Sequence, residues 1–75
     1  MTRHRLDCRR LLCPLPVIRV QDQVASMASG DIVEALCTDP GVLNDIPAWC
    51  RMRGQEFLGP TTVAGSPAFD VRRLA

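Results

Sequence analysis

Apolar side chains recur at helical spacing in the first half of the chain. Val17, Val20, Val24 and Met27 fall on one side, while Arg19, Gln21, Asp22, Gln23 and Ser26 take the other. The spacing predicts a helix following Cys13. Pro14 and Pro16 suit its first turn, where a missing amide hydrogen leaves no intrahelical bond unmade. Ser29-Gly30 closes it, with Gly30 as a left-handed cap. Upstream, His4 to Cys8 predicts a short strand with Leu6 and Cys8 on one face, and Arg9 to Leu12 a loop leading to Cys13.

Asp31 to Thr38 predicts a second strand, and its apolar residues point both ways: Ile32, Val33, Ala35, Leu36 and Cys37. Such a strand belongs in the interior of a sheet, covered on at least part of each face. Asp39-Pro40 reads as a helix start, an aspartate cap followed by proline. Leu43, Ile46 and Cys50 lie along the stripe of this second helix, with Val42 and Trp49 beside it. Pro47 predicts a kink, or a fresh start capped by Asp45. Arg51, Arg53 and Gly54 suit the C-terminal turn, where positive charge meets the negative end of the helix dipole. Gln55 to Val63 and Ala68 to Leu74 predict two strands around a turn at Ala64-Gly65-Ser66-Pro67. The order is βαβαββ. It predicts an α/β (α+β) fold, a two-layer sandwich in which two helices cover one face of a four-stranded mixed sheet. The first βαβ unit should be parallel and right-handed, and the last pair an antiparallel hairpin. Spatial strand order does not follow from this pattern.

Seventy-five residues make one domain, 1–75, with a small core. The nine basic residues are all arginine and face eight carboxylates. That balance gives no bulk attraction to nucleic acid, and with no lysine and few aromatic rings for stacking, direct nucleic-acid binding is not expected. The basic stretch Met1-Thr2-Arg3-His4-Arg5 is not followed by a signal-like apolar run, and no segment approaches the ~20 apolar residues that span a bilayer. A cytoplasmic protein is expected. There the four cysteines, Cys8, Cys13, Cys37 and Cys50, should be free thiols. No Cys-x-x-Cys pair suggests zinc.

Cys13 stands out by position. A cysteine nucleophile works as the thiolate, and one placed before a proline-started helix lies near free amides and the positive end of a dipole. Arg9 and Arg10 in the preceding loop would add positive potential, and the same surroundings would hold an anionic persulfide.

A wider set of residues carries a resemblance. Leu6-Asp7, Leu11 and Cys13-Pro14-Leu15-Pro16 are followed by Met27, Gly30 and Asp39-Pro40-Gly41. Asp45-Ile46-Pro47-Ala48-Trp49-Cys50 comes next, then Pro67, Phe69 and Val71. In this order they resemble the signature of the TusA/SirA-like sulfur carriers over nearly the whole chain. The resemblance implies a sulfurtransferase-type persulfide carrier rather than a stand-alone turnover enzyme. Cys13 would take sulfane sulfur from a protein donor, a cysteine desulfurase or rhodanese-like protein. It would then pass the sulfur to a protein acceptor serving tRNA thiolation, molybdenum-cofactor assembly or sulfur oxidation. No cofactor or metal is implied, since the thiol itself is loaded. Pro14, Pro16 and Asp7 would position the thiol. Two departures stand out. Arg10 occupies the place of the family glycine before Leu11, so a positive φ there would suit it poorly. Leu15 separates the two prolines where many relatives carry a polar residue, and it would offer a partner an apolar contact. Arg51 and Arg53 would give a basic rim for a partner.

Other readings compete with this one. A non-catalytic RNA- or protein-binding module shares this layout. A thiol redox regulator would use Cys8 as the resolving partner of Cys13. Cys37, Cys50, Trp49 and Phe57 read as core, and Trp49 would anchor a partner if left partly exposed.

Overall fold

A computed structural model describes residues 2–74. Met1, which opens the basic N-terminal stretch, and Ala75 lie outside the described residues. The elements follow the predicted order: β1 (Arg3–Cys8), α1 (Leu15–Ser26), β2 (Ile32–Cys37), α2 (Val42–Arg53), β3 (Glu56–Val63) and β4 (Ser66–Arg72). They form one four-stranded sheet in the order β1-β2-β4-β3. β1 and β2 run parallel, whereas β4 is antiparallel to both β2 and β3.

Both helices pack on one face, around a single core. It joins Cys8 of β1, Val33, Ala35 and Cys37 of β2, and Phe69 and Val71 of β4 to Val20 and Val24 of α1 and Val42, Ile46 and Cys50 of α2. Period-2 residues from strands and period-3.6 residues from helices thus converge on one apolar layer. β2 is interior, as its two-faced apolarity predicts. Its other face carries ion pairs: Arg3 Nη2 bridges Glu34 and Asp70 at 3.1 Å each, and Arg5 lies 3.6 Å from Glu34. This face of β1, β2 and β4 presents paired charges.

Four local readings change. The helix α1 ends at Ser26, and Gly30 (φ 91°) instead serves the tight turn closed by Asp31 N–H on Ala28 C=O at 3.0 Å, where positive φ favours glycine. α2 starts at Val42 with Gly41 as its flanking residue, so Asp39 does not cap it. Pro47 neither restarts nor interrupts α2: it lies inside the helix, which runs on through it at the cost of the one backbone bond that its nitrogen cannot donate. Leu43 is 57% exposed, and the buried stripe runs instead through Val42, Ile46 and Cys50, four residues apart. At the other end Gly54 (φ 71°) caps α2 in the left-handed region, as its place after Arg53 predicts.

Candidate functional site

Two loops meet above the carboxyl ends of the parallel strands. One runs from Cys8 of β1 to the start of α1, and the other from Cys37 of β2 to the start of α2. Because β1 and β2 are parallel, both loops leave from the same end of the sheet, where crossover folds commonly place their chemistry. The first carries Cys13 and the second Asp39. The opening turn of α2 contributes Asp45.

Cys13 is the exposed member of the four cysteines, and Cys8, Cys37 and Cys50 are buried. Its backbone N–H donates to Asp39 Oδ2 at 2.7 Å, and Asp39 Oδ1 accepts the N–H of Gly41 at 3.2 Å. One carboxylate therefore ties the cysteine loop to the loop before α2. The thiol itself donates from Sγ to Asp45 Oδ2 at 2.7 Å. Cys13, Pro14, Val17, Asp45, Ala48, Trp49 and Met52 line an open, mainly apolar groove of about 300 Å³. Met52 on its rim is 80% exposed, and Leu12, beside Cys13 in the chain, is 71% exposed. Leu15 also faces solvent, whereas Pro16 is buried under the first turn of α1 and anchors it. Pro14 flanks the helix as its N-terminal boundary residue.

The electrostatics reverse the expectation of a thiolate held by positive charge. The hydrogen bond to Asp45, with the negative charges of Asp45 and Asp39 behind it, raises the Cys13 thiol above its ordinary pKa. The two arginines of the loop make other contacts. Arg9 clamps Asp7 through Nε and Nη2, both at 2.9 Å, which holds the Asp7 carboxyl down at about 2. Arg10 donates its backbone N–H to Thr38 Oγ1 at 3.1 Å. Asp7, Arg9, Arg10 and Thr38 line a separate depression. The cause of the reversal is tertiary: α2 packs against α1 and sets a carboxylate where a free helix end would offer only amides.

Arg10 adopts φ 71°, in the left-handed region that favours glycine. The arginine carries the strain, of order 1–3 kcal/mol for a non-glycine residue. Arg10→Gly should accordingly raise stability by about 1 kcal/mol, less than the full strain because glycine is freer when unfolded. A higher urea midpoint at unchanged slope is the measurement to make, and an unchanged or lower midpoint would contradict the strain.

The remaining site candidates separate from Cys13. Cys8 is fully buried and faces Cys37 across the β1–β2 register, so the structure does not bring it to Cys13 as a resolving thiol. Arg51 and Arg53 are exposed at the far end of α2, and Arg53 lines a second groove with Gln21, Gln55 and Arg73. Trp49 is partly buried. It packs on the core, bonds Gln21 Oε1 through Nε1 at 3.2 Å and also lines the Cys13 groove. Asp39 and Asp45 are the site residues that sequence reasoning assigned to helix capping alone.

Comparison with known proteins agrees with this layout. The family described as Sulfurtransferase TusA matches residues 4–72. The chain is similar to the sulfur carrier protein TusA of Pseudomonas entomophila, 36% identical over 70 residues, covering 93% of this chain and 88% of that one. It is likewise similar to the TusA of Pseudomonas putida strain W619, at 34% identity with the same coverage. The fold matches the crystal structure of a SirA-like protein from Desulfitobacterium hafniense with a TM-score of 0.74 over the whole of both chains, at 20% sequence identity. A match spanning the strands, both helices and both loops of the site places this chain in the TusA family.

Proposed function

We propose that this protein is a sulfur carrier that loads sulfane sulfur on Cys13 as a persulfide and relays it between protein partners. The observation that carries the reading is the exposed Cys13 thiol at the head of α1, bonded to Asp45 and opening into an apolar groove. In loading, the Cys13 sulfur attacks the outer sulfur of a donor persulfide. A new S–S bond forms at Cys13, the donor's S–S bond breaks, and the donor departs as a thiol with the proton formerly held between Sγ and Asp45. Atoms and electrons balance: two sulfhydryl species enter, one thiol and one persulfide, and the same two leave with the outer sulfur exchanged. Unloading runs the same step toward an acceptor thiol. The group that is loaded is the protein's own thiol, so the cycle needs no cofactor.

Asp45 supplies two things. At rest it keeps the thiol protonated, which slows stray alkylation and oxidation, since both proceed through the thiolate. After loading, a persulfide is anionic at neutral pH, and the carboxylates of Asp45 and Asp39 repel it. A carrier must hand its cargo on, and that repulsion favours release over storage.

The groove supports a protein partner. Leu12, Leu15 and Met52 offer apolar contact beside the thiol, and Trp49 a partly exposed ring. The donor is a cysteine desulfurase or rhodanese-like protein and the acceptor a second protein of the relay. Its outlets are tRNA thiolation, molybdenum-cofactor assembly or sulfur oxidation. The setting is the cytoplasm, where free thiols persist. Among the described residues no helix is long and apolar enough to cross a membrane.

The electrostatic part has its own test. Asp45→Asn removes a negative charge from the thiol's side, so the Cys13 pKa should fall. Iodoacetamide alkylation of Cys13 followed against pH should show its inflection at lower pH than wild type, with faster reaction at pH ~7.5. An inflection that stays in place would show that Asp45 does not govern the thiol.

A further inference from the structure

Cys8 and Cys37 are facing partners in the parallel register of β1 and β2, the last residue of each strand. Both are essentially inaccessible, at 0% and 1% exposure. Both side chains lie in the same core cluster, and the influence of each thiol on the other lowers the Cys8 pKa and raises that of Cys37. Adjacent strands lie about 4.8 Å apart, inside the Cα range of about 4.4–6.8 Å that a disulfide tolerates. A pair placed in this way needs little backbone movement to be bridged.

The position matters as much as the spacing. Cys8 C=O accepts the N–H of Leu11 at 3.2 Å, in the loop that carries Cys13, and the loop after Cys37 supplies Thr38 to Arg10 and Asp39 to Cys13. The two cysteines therefore sit at the root of both loops that build the site. β1 is an edge strand paired only with β2, so its local opening exposes both thiols without unfolding the rest of the sheet.

We propose that Cys8 and Cys37 form a second, redox-active thiol site: a dithiol that exchanges with small-molecule disulfides to give a reversible cross-strand disulfide beneath the Cys13 loop. With oxidised glutathione, Cys8 attacks one sulfur, forms a mixed disulfide and releases one glutathione thiol. Cys37 then attacks the Cys8 sulfur and releases the second. Two protein thiols are oxidised to one disulfide, one glutathione disulfide is reduced, and the two thiol protons end on the glutathiones. The proposal stands apart from sulfur loading, because it does not use Cys13.

The full chain and its Cys13→Ser variant are equilibrated with graded ratios of reduced to oxidised glutathione, quenched with acid, alkylated under denaturation and weighed. Peptides follow from combined cleavage at arginine and before aspartate, which separates Cys8 from Cys13 and Cys37 from Cys50. The expected result, in both proteins, is a species about 2 Da lighter before alkylation, linked Cys8 to Cys37 and restored by dithiothreitol. Free Cys8 and Cys37 at every ratio would overturn the proposal. So would a bridge from Cys8 to Cys13, or glutathione adducts without a bridge.

Discussion

Cys13→Ser protein incubated with a persulfide donor should gain no sulfur, whereas wild type gains about 32 Da, the mass of one sulfur atom. The loss should be complete. A hydroxyl in place of Sγ still donates to Asp45 Oδ2, so the contact that positions the residue survives while the sulfur nucleophile does not. The fold should be unaffected, because Cys13 is exposed and makes no part of the core. Cys8, Cys37 and Cys50 are all buried, so none is placed to replace it. Undiminished loading of the variant would move the chemistry to another thiol, and the Cys8–Cys37 pair would be the first to map.

The second large effect concerns the helix that delivers Asp45. Ile46 is fully buried in the core and follows Asp45 directly in the first half of α2. Ile46→Ala removes the contacts that press this turn onto the sheet. It should cost about 2–5 kcal/mol, the usual range for a buried isoleucine truncated to alanine. Domains of this kind commonly rest on about 5–15 kcal/mol, and a small core sits toward the lower end. The melting temperature should therefore drop by at least about 8 °C. Equilibrium denaturation in urea measures it directly: the midpoint should move down at a constant slope. A shift below about 1 kcal/mol would mean that the core is not organised around this side chain.

These two positions show which parts of the molecule the sequence made readable. α1 was legible because Val17, Val20 and Val24 repeat at the helical period, and β2 because its apolar residues face both ways with Gly30 before them. Cys13 was legible from its place between a loop and a proline-started helix. Local signals of this kind depend only on neighbours in the chain. The strand order β1-β2-β4-β3 was not legible, since alternation along a strand says nothing about which strand lies beside it.

The charge around the thiol was misjudged for the same reason. Arg9 and Arg10 are close to Cys13 in sequence, but Arg9 is taken by Asp7, and the positive charge of Arg10 also acts on Asp7. The charges that reach Cys13 are Asp39 and Asp45, 26 and 32 residues away, delivered by packing α2 beside α1. In the sequence both carry the family resemblance and stand at the entry to the second helix, where capping explains them equally well. Arg10 makes a related point, because a left-handed φ occurs at a residue other than the glycine that favours it. The Cys8–Cys37 pairing needed the parallel register itself, since the two residues lie far apart in the chain.

The most direct trial of the carrier assignment is to map the sulfur after one encounter with a donor. Wild-type protein is exposed to a cysteine desulfurase with cysteine, trapped by alkylation without reductant and digested at arginine. The account predicts about 32 Da of added mass on the peptide from Leu11 to Arg19, which holds Cys13 alone among the cysteines. That added mass should be lost when an acceptor thiol is supplied. Sulfur retained on the peptides of Cys8, Cys37 or Cys50, with none on that of Cys13, would contradict it.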